Sequence, residues 1–314
     1  MQKSIDIMRA AVIDLGTNTF HLIIGDLADK DLQIVYKTTI PVLLGQGRIN
    51  ENIIIPEAFE RGISMLKEFR SIIDAHDVDI VRAIATSAVR NAVNGPEFVA
   101  AAHAVGIDIQ VITGDEEAAF IFNGVRALGI IQQTSLIMDI GGGSTEFIIC
   151  NEDGLIWKKS YDIGAARLMQ AYFHSDPISD AARNTITDLL DKTLGDLKAA
   201  CARYKPEMLI GSAGAFESFA VLLNNGDDIG DVASMTLDIK SYEKLAERLL
   251  ASTHEERTKM KGLISLRVDM IVIAVILTSY ILDNIGLSAL SLSMYDLKMG
   301  VLHSIKDQIT SKAG

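Results

Sequence analysis

Two stretches of this chain, 125 residues apart, carry one pattern. The first runs Val12-Ile-Asp14-Leu-Gly16-Thr-Asn-Thr19-Phe-His-Leu22-Ile-Ile24. The second runs Ile137-Met-Asp139-Ile-Gly141-Gly-Gly-Ser144-Thr-Glu146-Phe147-Ile-Ile149. Laid over each other without a gap, Asp14 meets Asp139, Gly16 meets Gly141, Thr19 meets Ser144, and Leu22-Ile-Ile meets Phe147-Ile-Ile. Each copy reads as a strand, a tight glycine-containing turn and a second strand. A chain built on such a repeat is expected to form two similar domains, each offering its turn to a shared cleft.

The turn has a chemistry of its own. Glycines let backbone N–H groups converge with no side chains in the way, which makes a concavity suited to phosphate oxygens. Asp139 at the strand end and Glu146 just past the turn are placed to hold Mg²⁺ directly or through water. A single turn of this kind also occurs as a plain hairpin. The second copy, with Asp14 in the place of Asp139, shifts the balance to phosphate.

Composition narrows the class. The chain has 314 residues and is 49% hydrophobic, enough for sizeable cores in one or two domains. Sparse aromatics with abundant Gly, Ala and Ile suit an α/β protein. Cys150 and Cys201 show no metal or redox spacing and read as small buried hydrophobes in a reducing compartment. No basic region followed by an apolar run opens the chain, so no signal peptide is expected and a cytoplasmic protein is. The longest apolar run, Ile271 to Leu282, is 12 residues and too short for a bilayer, so no membrane partner is expected. A net charge of −12 argues against a general nucleic-acid binder. A polyanionic substrate would need local basic groups or Mg²⁺ to offset that field.

In order, strands are expected at Ala10–Asp14, Phe20–Leu27 and Leu32–Thr39, then a loop at Gly45-Gln-Gly47. A helix starts at Pro56, with Phe59, Ile63, Leu66, Phe69, Ile72 and Ile73 at helical spacing. A strand at Asp79–Ala85, a short helix at Pro96–Val105, a strand at Ile107–Ile112 and a helix to about Leu128 follow. The second half repeats the plan with strands at Ser135–Asp139, Glu146–Asn151 and Leu155–Asp162. Then come helices Ala165–Phe173 and Ser179–Tyr204, strand Met208–Gly211, a helix from Ala215 and a polar surface loop over 224–238. Helices Ser241–Ala251, His254–Met260 and Arg267–Asn284, strand Ala289–Leu292 and a terminal helix complete the chain. Domains are expected at 1–128 and 129–314, with the terminal helix packing back on the first.

Other candidates stand at strand ends, where open α/β sheets place their ligands. Thr86-Ser-Ala-Val-Arg90 offers hydroxyls and a guanidinium able to clamp phosphate bidentately; a surface arginine at a helix start is the plain alternative. Gly114-Asp-Glu-Glu117 offers three carboxylates, which acids complementing a helix dipole would also explain. Glu117 stands out because a hydrolase needs a base to orient water, and this chain already has two phosphate turns. Gly211-Ser-Ala-Gly214 is a third strand-to-helix turn able to meet phosphate, or a plain connection. Arg267-Val-Asp269 reads as a capping salt bridge or as a contact to a long phosphate chain. The six histidines show no metal-ligand spacing, and His21 reads as structural.

Taken together, Asp14-Leu-Gly-Thr-Asn-Thr-Phe-His, Ala85-Thr-Ser-Ala-Val-Arg90-Asn-Ala-Val-Asn94, Gly114-Asp-Glu-Glu117-Ala and Asp139-Ile-Gly-Gly-Gly-Ser-Thr-Glu146 resemble the exopolyphosphatase / guanosine pentaphosphate phosphatase (Ppx/GppA) family in order and spacing. The resemblance implies the actin-like ATPase (ribonuclease H-like) fold, an α/β fold with two related domains flanking a central cleft. It also implies Mg²⁺-dependent removal of a terminal phosphate. Glu117 matches the family's catalytic base, Arg90 a phosphate-binding arginine, and Asp139 and Glu146 acidic residues that support metal and water. Asp14 stands beside them as a metal candidate. Gly16, Thr17, Asn18 and Thr19, and Gly141, Gly142, Gly143 and Ser144, match the two phosphate turns; Gly211, Gly214 and Arg267 match later blocks. A homodimer is compatible with the family.

The chain also departs from the family. A usual Ser-Asp-Gly-x-Leu-Arg-x-Gly block reads Ser293-Met-Tyr-Asp296-Leu-Lys-Met-Gly300, and a usual Pro-Gly pair reads Ile273-Ala274. Both changes are expected in the second domain, near the distal part of the substrate. The extra C-terminal helical domains of longer members have no counterpart here, which points to shorter polyphosphate chains. The expected function is an exopolyphosphatase. The alternatives are a guanosine pentaphosphate (pppGpp) phosphohydrolase, a sugar or acetate kinase on this fold, and a non-catalytic polyphosphate or alarmone sensor.

Overall fold

The computed structural model describes residues 8–28, 32–212 and 214–313; Ala213, in the third candidate turn, lies outside the described residues. The chain divides into two units, residues 1–127 with 297–314, and residues 128–296.

The first unit begins with β1 (Met8–Leu15), β2 (Thr19–Leu27) and β3 (Leu32–Pro41), followed by α1 (Pro56–Ala75), β4 (Ile80–Ala85), α2 (Ser87–Arg90), α3 (Gly95–Ala104), β5 (Ile109–Val111) and α4 (Gly114–Ala127). Its sheet has the order β3-β2-β1-β4-β5. Strand β2 runs antiparallel to both neighbours, whereas β1, β4 and β5 are mutually parallel. The sequence accounts for these positions. Ala10 to Ile13 of β1 are fully buried, as a central strand covered on both faces must be. Edge strand β3 instead alternates half-buried and exposed residues along its length. Helix α1 has Pro56 in its first turn and buries Ala58, Gly62, Leu66, Phe69 and Ile73, one stripe at three- and four-residue spacing.

The second unit repeats the plan with β6 (Ser135–Ile140), β7 (Thr145–Asn151), β8 (Gly154–Tyr161), α5 (Ala165–Tyr172), α6 (Asp180–Thr193), α7 (Gly195–Tyr204), β9 (Met208–Ser212) and α8 (Gly214–Leu223). It continues with β10 (Ser234–Leu237), α9 (Ile239–Ala251), α10 (His254–Thr258), α11 (Met270–Ile285) and β11 (Ala289–Ser293). The order β10-β11-β9-β6-β7-β8, read from its far edge, is the first unit's order with one antiparallel strand appended. That strand order, with the second strand antiparallel to both neighbours, is the ribonuclease H-like arrangement. Its duplication is the actin-like ATPase fold.

Two expected elements take a different form. The single helix expected over Ser179–Tyr204 is two, broken at the buried Leu194, where the backbone leaves helical geometry (ψ 20°). Gly195 follows the break, and glycine is a poor helix former. The expected loop over 224–238 contains β10, whose four residues pair with Ser293 to Leu290 of β11.

Helix α11 is buried on nearly every side among α5, α6, α7, α8 and α9, which accounts for its continuous apolar run. Among the described residues no helix is long and apolar enough to cross a membrane. The last helix, α12 (Leu297–Ala313), packs on α4 and on β1 and β2 of the first unit. The altered block at Ser293–Gly300 therefore straddles the two units rather than lying in the second. Gly300 makes the approach to α4 possible: a Cβ there would stand 1.7 Å from the Phe120 carbonyl oxygen.

Candidate active site

In the first unit, parallel strands β1, β4 and β5 bring three segments to their carboxyl ends: the Gly16–Thr19 turn, Thr86–Arg90 and Thr113–Glu117. The β1–β2 turn is closed by Gly16 N–H donating to Thr19 O at 3.0 Å. A Cβ on Gly16 would stand 2.9 Å from that carbonyl, and one on Gly141 would stand 2.9 Å from Ser144 O, so the two turns share one geometry. Thr17 and Ser144 are both buried.

The three acids of Gly114–Glu117 separate cleanly in space. Glu116 Oε2 accepts from Thr113 N–H and Thr113 Oγ1, both at 2.8 Å, and Glu116 N–H donates to Thr113 Oγ1 at 3.2 Å. That reciprocal pattern is a capping box, and it gives Glu116 a structural role. Glu117, one position on, turns inward and is only 7% exposed. Arg90 Nη1 donates to Glu117 Oε2 at 2.7 Å and to Ile112 O at 3.1 Å. Burial pushes the Glu117 carboxyl above the usual carboxylate range, and the Arg90 guanidinium opposes this without cancelling it. A buried carboxylate raised in this way and held by one charged donor is suited to taking up a proton.

In the second unit a row of polar residues crosses the sheet in register: Ser160, Glu146, Asp139, Ser212 and Ser293. Asp139 and Glu146 are direct cross-strand partners, so their carboxylates share one face. Glu146 is almost wholly buried and accepts from Ser160 Oγ at 2.6 Å. Ser212 Oγ is buried with no hydrogen-bond partner among the described residues. Among the described residues no group of three or more His, Cys, Asp or Glu could hold a metal. A pair of carboxylates nevertheless fits Mg²⁺, which takes one or two from a protein and completes its shell with water and substrate phosphate oxygens. Asp14 belongs to the first unit, where its cross-strand partner is His21 and not a second acid.

The Gly211–Gly214 segment serves packing as well as position. A Cβ on Gly211 would overlap the Phe216 ring at 1.9 Å, so that glycine is demanded by the core. Gly214 has a positive φ of 44°, and a Cβ there would meet Arg267 Nη1 at 2.9 Å. The half-buried Arg267 guanidinium is thus laid against this turn. Burial lowers its pKa, and the charges of Glu217 and Asp139 work against that shift. The second unit therefore brings Asp139, Gly214 and Arg267 near one another, as the first brings Arg90 to Glu117.

Sequence reading named Ser212 only within the Gly211–Gly214 turn and passed over Ser160 and Arg167, whose Nε donates to Gly143 O at 3.2 Å. Ser160 follows two lysines and carries no local signal, and only the strand register gives it and Ser212 meaning.

A sequence profile described as the Ppx/GppA phosphatase family matches residues 23–309. Exopolyphosphatase 2 of Mycobacterium tuberculosis is 30% identical over 318 aligned positions, covering 95% of this chain and 98% of that protein. The crystal structure of an exopolyphosphatase from Cytophaga hutchinsonii superposes with a TM-score of 0.92 at 37% identity, covering 96% of this chain and 98% of that one. The Aquifex aeolicus PPX-GPPA enzyme superposes with a TM-score of 0.80 at 26% identity, covering 95% and 99%. The chain belongs to the Ppx/GppA phosphatase family.

Proposed function

We propose that this chain is an exopolyphosphatase that removes the terminal phosphate of inorganic polyphosphate with Mg²⁺ as its cofactor, in the cytoplasm. The observation that carries the reading is Glu117, a buried carboxylate with a raised pKa held by Arg90 at 2.7 Å. Relatives named as exopolyphosphatases, matched over nearly their whole length, support the same reading.

Glu117 takes a proton from water as its oxygen bonds to the terminal phosphorus. The bridging P–O bond breaks, and its electrons leave with the shortened chain. Arg90 fixes the carboxylate and brings positive charge to the developing phosphoryl charge. Backbone N–H groups of the Gly16–Thr19 and Gly141–Ser144 turns bind phosphoryl oxygens, and Arg267 beside Gly214 binds a phosphate further along the chain. Asp139 and Glu146 would hold Mg²⁺, which when bound neutralises charge on the phosphate oxygens.

The test is phosphate release by the purified chain with Mg²⁺ on tripolyphosphate, long-chain polyphosphate and guanosine pentaphosphate, beside Glu117→Ala. Release from polyphosphate that falls about 10²–10⁴-fold in the variant is expected. Faster release from guanosine pentaphosphate would move the substrate to the nucleotide. Equal rates in the variant would remove Glu117 as the base, and no release from any of the three would overturn hydrolysis.

A further inference from the structure

The peptide groups of the Gly141–Ser144 turn are held from behind by the segment that follows β8. Ala165 N–H donates to Gly141 O at 2.8 Å, while Ala166 and Arg167 N–H donate to Gly142 O at 2.9 and 3.1 Å. Arg167 Nε then donates to Gly143 O at 3.2 Å. Three successive carbonyls are thus engaged by the first turn of α5. In a trans peptide the N–H points opposite to the C=O of the same unit. Engaging the carbonyls of Gly141, Gly142 and Gly143 therefore turns the N–H groups of Gly142, Gly143 and Ser144 away from α5, where they can converge on an anion.

The first unit is built in the same way. Its segment after β3 donates Val42 and Leu43 N–H to Asn18 O at 2.9 and 2.8 Å, and Gly45 N–H to Thr17 O at 3.0 Å. Arg61 stands behind that segment, with Nε donating to Val42 O at 2.7 Å. Both locks come so close that glycine is needed at the contact. A Cβ on Gly45 would stand 2.5 Å from Thr17 Cγ2, and one on Gly164 would stand 2.4 Å from the Gly142 backbone. Recurrence in both units makes the lock part of the repeated turn.

Three of the carbonyl bonds in the second unit come from backbone N–H groups and survive any side-chain change. The fourth depends on one side chain. We propose that Arg167 is a positioning residue for the Gly141–Ser144 turn: its Nε–H fixes the Gly143–Ser144 peptide so that Ser144 N–H is presented to a phosphoryl group of the substrate. The proposal rests on the reading of that turn as a phosphate site. It assigns Arg167 no contact with substrate; its work is done through the Gly143 carbonyl.

Three substitutions separate this role from a direct charge contact. Arg167→Gln keeps an N–H donor the same number of bonds from Cα as the arginine Nε, but carries no charge. Arg167→Lys keeps the charge and loses the donor at that position. Arg167→Ala loses both. Tripolyphosphate binding with Mg²⁺ is measured by calorimetry in a Glu117→Gln background, where turnover is suppressed, and KM and kcat are measured in the otherwise native protein. Losing one hydrogen bond should weaken binding roughly three- to tenfold in Arg167→Ala, raising KM with kcat within about twofold. Arg167→Gln should recover most of that loss and Arg167→Lys should not, with similar Tm values in all three. Recovery by lysine and not glutamine would overturn positioning in favour of charge, and unchanged affinity in Arg167→Ala would overturn it outright. Failure of the Glu117→Gln parent to bind tripolyphosphate, with no turnover by the native protein, would overturn the phosphate reading and this proposal with it.

Discussion

His21 holds in the first unit the place that Glu146 holds in the second. Each is the direct cross-strand partner of the aspartate near the end of its unit's first strand, Asp14 or Asp139. Each also hydrogen-bonds a hydroxyl on the third strand: His21 Nδ1 to Thr39 Oγ1 at 2.8 Å, and Ser160 Oγ to Glu146 Oε1 at 2.6 Å. The chemistry has diverged while the position has not. The second unit pairs two carboxylates, whereas the first ties an imidazole to Thr19 of its own turn, with Nε2 2.9 Å from Thr19 Oγ1.

On the proposed reading, that divergence puts cation binding on the carboxylate pair of the second unit. Ser160→Ala removes the hydroxyl that orients Glu146, and loss of such an outer partner typically costs about 10–100-fold in metal affinity. The Mg²⁺ concentration for half-maximal phosphate release should rise by about that factor, whereas Thr39→Val should leave it unchanged. Chelation by EDTA should stop release and added Mg²⁺ restore it. Magnesium titrations of the two variants make the comparison, and an equal shift in both would contradict it.

Gly141→Ala should act on substrate binding. Its Cβ would stand 2.9 Å from Ser144 O, so the turn must open by a few tenths of an ångström or more. Displacement of a binding group on the ångström scale costs up to about 100-fold, and KM for tripolyphosphate should rise within that bound. Steady-state kinetics with a melting curve provide the check. An unchanged KM in a folded variant would mean that the turn does not meet substrate.

The Glu117 carboxyl gives a pH prediction with a definite sign. Its folded pKa lies above the ordinary carboxylate value because burial outweighs Arg90, and a base works only when deprotonated. The acid limb of kcat/KM should therefore lie above the usual carboxylate range, and Arg90→Met should move it further up. Stability follows the same shift. The contribution is fully present below the unfolded carboxylate pKa and is lost as pH rises through the folded one. Uncharged Glu117→Gln should thus gain Tm relative to the native protein as pH rises above the unfolded carboxylate pKa. A gap that narrowed with rising pH would contradict the shift.

Gly300→Ala tests the terminal helix. With 1.7 Å between the added Cβ and Phe120 O, α12 cannot stay in place on α4. Overpacking of this severity costs on the order of 3 kcal/mol. For a protein of this size that is roughly a 5–10 °C fall in Tm. Activity should fall as well, since α4 carries Glu117 in its first turn. Calorimetry reads the first effect, and a Tm within about 2 °C of the native value would contradict the packing.

Much of the fold was legible because it rests on local pattern. The two turns, the central apolar strands and the stripe of α1 each depend on residues a few positions apart. The capping role of Glu116 was legible in the same way, since Thr113-Gly-Asp-Glu116 has the spacing of a capping box. The break at Leu194 and strand β10 were not. An apolar period runs on through a buried kink, and the partner of Ser234–Leu237 lies in β11, more than fifty residues further along.

The site divides along the same line. By itself the sequence determined that the chain carries two equivalent glycine turns, each with an acid at its strand end, because a gapless repeat needs no tertiary knowledge to be seen. Only the tertiary structure decided which acid of Gly114–Glu117 faces Arg90, 27 residues away from Glu117. It also decided that Ser160 steadies Glu146 and that α5 holds the Gly141–Ser144 turn from behind. Each of these depends on strand register or helix packing, which place distant residues within hydrogen-bond reach and leave no periodic trace in the chain.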